Sequence, residues 1–178
     1  MAEAHQECIK TDPMYKDCII PTERLHMTLA CLGLDTKEQI KQAVKALHEV
    51  KSELKACNPT DIEVEFEGVD NFFHSVRYAH VKENPKLCEF VEHLKLCMTE
   101  TGVHLRDVFD FTPHMTVMKM NRQLARDTRN PYLDPRVYVQ LEGKRFGSQV
   151  LDNIHLCAMS EDREQDGFYE CATSIHFN

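Results

Sequence analysis

Residues 111–118, Phe-Thr-Pro-His-Met-Thr-Val-Met, carry the pattern from which the fold is read. Pro113 has no backbone N–H to give a ladder, so a strand can only begin there or lie on an edge. From His114 onward the side chains alternate. His114, Thr116 and Met118 are expected on one face, with Met115 and Val117 on the other. The same order of histidine, apolar, threonine, apolar occurs at His26-Met27-Thr28-Leu29, inside an alternating run from Leu25 to Leu32. Either tetrad alone fits an ordinary strand with a solvent-facing or hydrogen-bonded histidine. Two of them at matching places in one chain mean more.

Working outward from both tetrads, Gly33 breaks the first run, and Asp35-Thr-Lys-Glu38 reads as a capping box. The helix it opens carries Ile40, Val44, Leu47, Val50 and Leu54 at helical spacing and ends at Asn58-Pro59. Ile62, Val64 and Phe66 alternate with glutamates as a strand with one wet face, and Val76–Val81 reads as another. Asn84-Pro85 opens a second helix, with Leu87, Phe90, Val91, Leu94 and Met98 as its buried stripe and Gly102 as its stop. Beyond the second tetrad, residues 121–145 are polar and basic, with a short helix expected at Asp134-Pro135. Val150–Met159 and Phe168–Phe177 read as strands joined by a charged turn, Glu161–Gly167.

The order repeats. A histidine strand, a helical region, a strand and a strand follow one another twice, and the next strand begins 36 residues after each histidine, near Ile62 and near Val150. This implies a degenerate duplication into two lobes, each presenting one His-x-Thr strand.

The chain has 178 residues, 42% apolar and 28% charged, enough for one domain with its own hydrophobic core. No apolar run reaches the length of a membrane span, and the opening residues lack the apolar centre of a signal peptide. The net charge of −8 opposes binding to long nucleic acids, whose affinity rests on neutralising many phosphates. Cysteines 8, 18, 31, 57, 88, 97, 157 and 171 form no C-x-x-C pair and no zinc spacing, and are expected as reduced thiols of a cytoplasmic or nuclear protein. No phosphate loop, dinucleotide fingerprint or nucleophile elbow is present, which disfavours kinases, Rossmann enzymes and serine hydrolases.

The chemistry then falls to the tetrads. Residues i and i+2 of a strand point the same way, so each tetrad offers an imidazole beside a hydroxyl. Two such pairs facing each other place two imidazoles and two hydroxyls around one centre. One neutral histidine can take a proton and one protonated histidine can give one, while threonine hydroxyls bind phosphoryl oxygens. That set supports phosphodiester cleavage without a metal. Each tetrad supplies only one metal ligand, which argues against zinc at this position. Residues 111–147 hold Lys119, Arg122, Arg126, Arg129, Arg136, Lys144 and Arg145 against Asp127, Asp134 and Glu142, either a phosphate-attracting rim or a solvated face. Tyr132 and Phe146 are candidates to stack on a base or to pack in the core. The other histidines, His80 and His93 among them, have no repeated context and read as surface or structural.

These motifs, together with Arg145-Phe-Gly-Ser-Gln-Val-Leu151, Ile154-His-Leu-Cys-Ala-Met159 and Gly167-Phe-Tyr-Glu-Cys171, resemble the 2H phosphoesterase superfamily, and within it the RNA-ligase-like domains of the A-kinase anchoring branch. The resemblance implies a bilobal, duplicated α+β fold, with two antiparallel sheets around a U-shaped cleft and helices outside. It implies His26, Thr28, His114 and Thr116 as the catalytic set, no metal and no cofactor. The implied ligand is a nucleotide or short oligonucleotide, 2′,5′-oligoadenylate first and 2′,3′-cyclic phosphates next. A binding module for an AMP-like nucleotide, with little turnover, is the alternative.

Two departures from the family shape further expectations. Only 25 residues precede His26, fewer than in related domains. Residues 1–20 are therefore expected as an N-terminal remnant or linker, residues 21–178 as a single domain, and the first lobe as N-terminally truncated and short of an edge element. The amphipathic helix that anchors protein kinase A has no counterpart before Asn178, so kinase anchoring is not expected, nor is a membrane partner.

Overall fold

The computed structural model describes residues 1–160 and 162–178. Its architecture is α+β with antiparallel pairing, and the chain divides into two compact units. The first comprises Met1–Met27, Glu65–Lys82 and His114–Gly147, and the second Thr28–Val64, Glu83–Pro113 and Ser148–Asn178.

β1 (Glu63–Phe72), β2 (Val76–Val81), β3 (His114–Lys119) and β4 (Arg145–Val150) form one sheet in the order β3-β2-β1-β4, with all of β2 and β3, β1 from Glu65 and β4 as far as Gly147 in the first unit. β2 runs antiparallel to both β1 and β3. Its register on β3 sets Tyr78 opposite Thr116, Ala79 opposite Met115 and His80 opposite His114. One residue further, Arg77 faces Met118, so Val117 is an extra residue on β3. This bulge corrects one expectation from the sequence. It turns Met118 away from the face of His114 and Thr116, and Val117 and Met118 are both buried in the core with Met115 packed against it.

Beneath that core face lies the N-terminal segment. α1 (Ala2–Thr11) buries Ala4 and Cys8, and the Asp12 carboxylate caps a 3-10 helix over Pro13–Cys18 that buries Tyr15 and Cys18. Ile19 then forms an antiparallel bridge with Met118, and the Ile20 N–H donates to the Val117 carbonyl at 2.9 Å. Residues 1–20, expected as a remnant or linker, thus supply four side chains to the core of this unit. A further helix not anticipated from the sequence, α4 (Arg122–Thr128), starts where the Asn121 side chain accepts from Gln123 N–H and Leu124 N–H. The helix expected at Asp134-Pro135 is a 3-10 turn over Pro135–Val137.

The second unit joins two helices to a hairpin. α2 (Lys37–Ala56) is capped by Thr36, whose hydroxyl accepts from Gln39 N–H while Gln39 Oε1 accepts from Thr36 N–H. The capping box therefore lies one residue beyond the Asp35–Glu38 expected from the sequence. The helix buries Ala43, Ala46, Leu47, Val50 and Leu54, whereas Ile40 stays exposed. α3 (Pro85–Glu100) begins at the Asn84 cap and buries the expected stripe plus Cys97; Gly102 follows with φ 83°, a conformation glycine adopts without steric cost. β5 (Asn153–Cys157) pairs antiparallel with β6 (Cys171–His176). His48 of α2 lies 2.8 Å from the Thr173 hydroxyl of β6, and Phe90 of α3 meets Phe177 edge to face. The two strands are shorter than Val150–Met159 and Phe168–Phe177, and β4 is a separate strand that the sequence did not disclose. Of the charged turn expected at Glu161–Gly167, Glu161 lies outside the described residues.

The largest departure is at residues 25–32. The chain there belongs to no strand ladder. Among the described residues its one bridge is Leu32 with Leu105, flanked by Gly33 N–H donating to the His104 carbonyl at 2.9 Å and Arg106 N–H donating to the Cys31 carbonyl at 2.7 Å. Gly33 is required at this approach, because a Cβ would stand 2.8 Å from Arg106 Nε and 2.9 Å from His104 Cδ2. Alternation in a sequence reports which side chains are buried; a ladder also needs a neighbour with free N–H and C=O groups, and pairing reaches this segment only at its end.

Candidate active site

His114 is the first residue of β3 and Thr116 the third, so both project from one face. On the neighbouring strands that face carries Tyr78 and His80 of β2 and Asp70 and Phe72 of β1, through the pairs Asp70–Tyr78, Tyr78–Thr116 and His80–His114. Two rings hold the imidazole of His114. Phe72 meets it edge to face at 5.0 Å between centroids, Tyr78 at 5.3 Å, and Phe72 and Tyr78 stack on each other at 4.3 Å. Such contacts fix the plane of a half-buried imidazole without using either nitrogen. Burial, with Asp70 beside it, raises the pKa of the Tyr78 phenol and keeps it protonated. His80, exposed and directly across the ladder from His114, is a second imidazole at this place.

His26 follows a 3-10 turn over Thr22–Arg24. Its Nδ1 lies 2.8 Å from the carbonyl oxygen of Arg24. A carbonyl can only accept, so Nδ1 carries the proton and Nε2 is the nitrogen through which His26 exchanges one.

The four residues singled out from the sequence are therefore distributed as follows. His26, His114 and Thr116 belong to the first unit, and Thr28 is the first residue of the second. This revises the expectation of one His-x-Thr strand per lobe: both imidazoles fall in the same unit, and the first tetrad joins no strand. The aromatic bracket of Phe72 and Tyr78, and His80, were missed. The signal for them lay in setting 76–81 antiparallel to 114–119, which places residues i and i+2 of both segments on one face.

Electrostatics in this unit are uneven. An open groove of about 250 Å³ beside His80 is lined by Glu67, Gly68, Val69, Asp70, Glu142 and Gly143; three carboxylates make it a poor seat for a phosphate. Of the seven cations between 111 and 147, Arg136 is held by Asp134, Lys144 by Glu7 and Arg145 by Glu65. Among the described residues no ion pair engages Lys119, Arg122, Arg126 or Arg129, which are exposed on the end of β3 and on or just after α4. Of the two aromatic candidates, Phe146 packs against the core and Tyr132 is 53% exposed.

With this geometry in view, the comparison with known proteins is direct. A model of the AKAP7 2′5′ RNA ligase-like domain matches residues 1–177. The chain belongs to that family. It is 25% identical over 172 residues to human A-kinase anchor protein 7 isoform gamma, an alignment that takes in 94% of this chain and 49% of the relative, so the chain spans about half the length of that protein. Two solved structures share the fold, each with a TM-score of 0.51 and covering 99% of this chain and 92% of its own: a phosphoesterase at 16% identity and E. coli LigT complexed with 3′-AMP at 15%. The fold is that of the 2H phosphoesterases. The match from residue 1 also takes in the segment that packs as α1.

Proposed function

We propose that the protein is a metal-independent phosphodiesterase of short RNA or nucleotides, with 2′,5′-linked oligoadenylate its foremost substrate and 2′,3′-cyclic phosphates next. The observation that carries this reading is the placement of His114 and Thr116 on one strand face, with the ring plane of His114 held by Phe72 and Tyr78, in a unit that also contains His26 with its Nδ1 proton committed to a carbonyl. Membership of the RNA ligase-like family supports it. So does the 3′-AMP bound by LigT, a protein of the same fold.

In this mechanism one imidazole takes the proton from the attacking hydroxyl or water as its oxygen bonds to phosphorus. The other imidazole gives a proton to the oxygen whose bond to phosphorus breaks. The two rings end with exchanged protonation states, and solvent resets them. Thr28 and Thr116 donate hydrogen bonds to the non-bridging oxygens, where negative charge gathers in the transition state. The exposed cations that follow Thr116, from Lys119 to Arg129, draw the phosphate in.

A second reading is favoured by one observation. The chain at His26 and Thr28 has no ladder to hold it, and a loosened acid–base pair binds without aligning the reacting groups. The protein would then be a nucleotide-binding module. Incubating it with 2′,5′-triadenylate, 3′,5′-triadenylate and 2′,3′-cyclic AMP, with and without EDTA, decides between the two. Cleavage of the 2′,5′ linkage or the cyclic phosphate that persists in EDTA supports the enzyme. AMP binding by calorimetry without turnover supports the module.

A further inference from the structure

The second unit holds a cluster that belongs to neither histidine tetrad. Glu53 lies on the last turns of α2, and Cys57 caps that helix four residues on. His93 and Cys97, also four apart, lie on α3, which packs against α2. Residues at i and i+4 share a helix face, so α3 offers a pair of ligand types to its neighbour. Glu53 meets that pair. His93 Nε2 stands 3.3 Å from Glu53 Oε1 and 3.6 Å from Cys97 Sγ, and the three ligand atoms lie within 4.8 Å of one another. The Cys57 thiol is turned to its own helix, donating to the Glu53 carbonyl at 3.8 Å.

Without a metal, Glu53 is the shared acceptor, taking His93 Nε2 at 3.3 Å and the Cys97 thiol. A cation at the common centre of the three ligand atoms would replace both contacts. The two distances from His93 fit one. Tetrahedral zinc with Zn–N and Zn–O near 2.0–2.1 Å and Zn–S near 2.3 Å sets ligand nitrogen and oxygen roughly 3.4 Å apart, and nitrogen and sulfur roughly 3.6 Å. The donor set of thiolate, imidazole and carboxylate suits zinc and is too soft for magnesium or calcium. The site also has an approach: Cys97 is buried, the His93 side chain is one-third exposed and that of Glu53 more than half.

We propose that Glu53, His93 and Cys97 bind a zinc ion, with water completing its coordination, and that this ion pins α2 to α3. Binding converts the Cys97 thiol to a thiolate and releases its proton to solvent; in the complex His93 is the neutral imidazole and Glu53 the carboxylate. Burial, and then Glu53, push the Cys97 thiol up to about 11, with Glu100 and Cys57 adding to the rise. The ion is structural here, and no step of the phosphodiester chemistry passes through it.

The test uses the full chain stripped with EDTA and titrated with zinc against a chromophoric chelator, and separately with cobalt(II) as a spectroscopic stand-in. The proposal predicts one equivalent of zinc, a higher melting temperature on loading, and a cobalt complex with a thiolate charge-transfer band and the strong visible bands of tetrahedral geometry. His93→Ala and Glu53→Ala change partly exposed residues and should fold; each should weaken zinc binding by roughly tenfold or more. Cys97→Ser should abolish the charge-transfer band, and Cys31→Ser, at an exposed cysteine elsewhere in the chain, should leave it intact. Failure of the wild-type chain to bind one equivalent, or cobalt spectra and zinc affinity unchanged in both His93→Ala and Glu53→Ala, would overturn the proposal whether or not Cys97→Ser folds.

Discussion

The Nδ1 of His26 lies 2.8 Å from the carbonyl oxygen of Arg24, and this one bond determines which nitrogen of His26 can do chemistry. His114 is met edge to face by the rings of Phe72 and Tyr78.

Removing either imidazole should cost the same order of rate. His26→Ala and His114→Ala are each expected to lower kcat/KM for 2′,5′-triadenylate by about a hundredfold or more, the scale of general acid–base catalysis. The wild-type profile of rate against pH should be bell-shaped, because one ring must be neutral while the other is charged, and each variant should lose one limb. Steady-state kinetics across pH would check this. Full activity in either variant contradicts it.

On the proposed mechanism, Phe72 serves through His114, whose ring it meets edge to face. Phe72→Leu removes the ring that meets the imidazole at 5.0 Å while keeping an apolar side chain. The expected result is a fall in kcat with KM little changed, and a fold intact by circular dichroism. A change confined to KM would indicate that Phe72 binds substrate directly.

Arg77 tests the core of the first unit. It is 1% exposed, and its guanidinium carbon lies 3.8 Å from the centroid of the Tyr138 ring. Burial lowers its pKa, and the Tyr138 side chain opposes that shift. A desolvated cation–π pair contributes about 2 kcal/mol. Tyr138→Leu should therefore destabilise the protein by about that much or more in urea unfolding, since it strands the charge as well. Arg77→Met should be neutral or stabilising, as replacement of buried charges often is. A Tyr138→Leu protein as stable as wild type contradicts the pairing.

Stability should fall on mild acidification. Burial, assisted by the nearby N-terminal amine, lowers the pKa of His5; burial, then His176, lowers that of His155, against a smaller opposing effect of Asp152. Both rings resist protonation when folded and accept it freely when unfolded. Their contribution is complete above the unfolded value of about 6.5 and is lost as pH drops below it toward the folded values. Melting temperatures at pH 7.5, 6.5 and 5.5 should decline in that order, and His5→Leu should flatten the decline. Equal slopes in the variant and the wild type would rule out His5 as a contributor.

What was legible in the sequence, and what was not, follows from the kind of signal each element carries. Val76–Val81 and the helix from Pro85 were read with their bounds, because alternation, a proline at the first turn and a glycine stop all agree there. α1 was missed because its buried residues are Ala4, His5 and Cys8, too small or too polar to mark an apolar stripe. β4 has a mostly exposed edge with no alternation to read. The face of Met118 was misassigned because a bulge at Val117 leaves no trace in periodicity. At the proposed site the residue types were legible and their company was not. Phe72 and Tyr78 reach His114 through strand register, and Glu53 meets His93 and Cys97 through the packing of two helices, an arrangement that matches no zinc spacing in the linear chain.

The central claim is that His26 and His114 serve one phosphate. Titrating the protein with AMP while following the side-chain nitrogens of all histidines by NMR tests it most directly. The account predicts that the signals of His26 and His114 move together, with a single dissociation constant, while those of His48 and His155 stay in place. Movement of only one of the two, or of both with different dissociation constants, would contradict it.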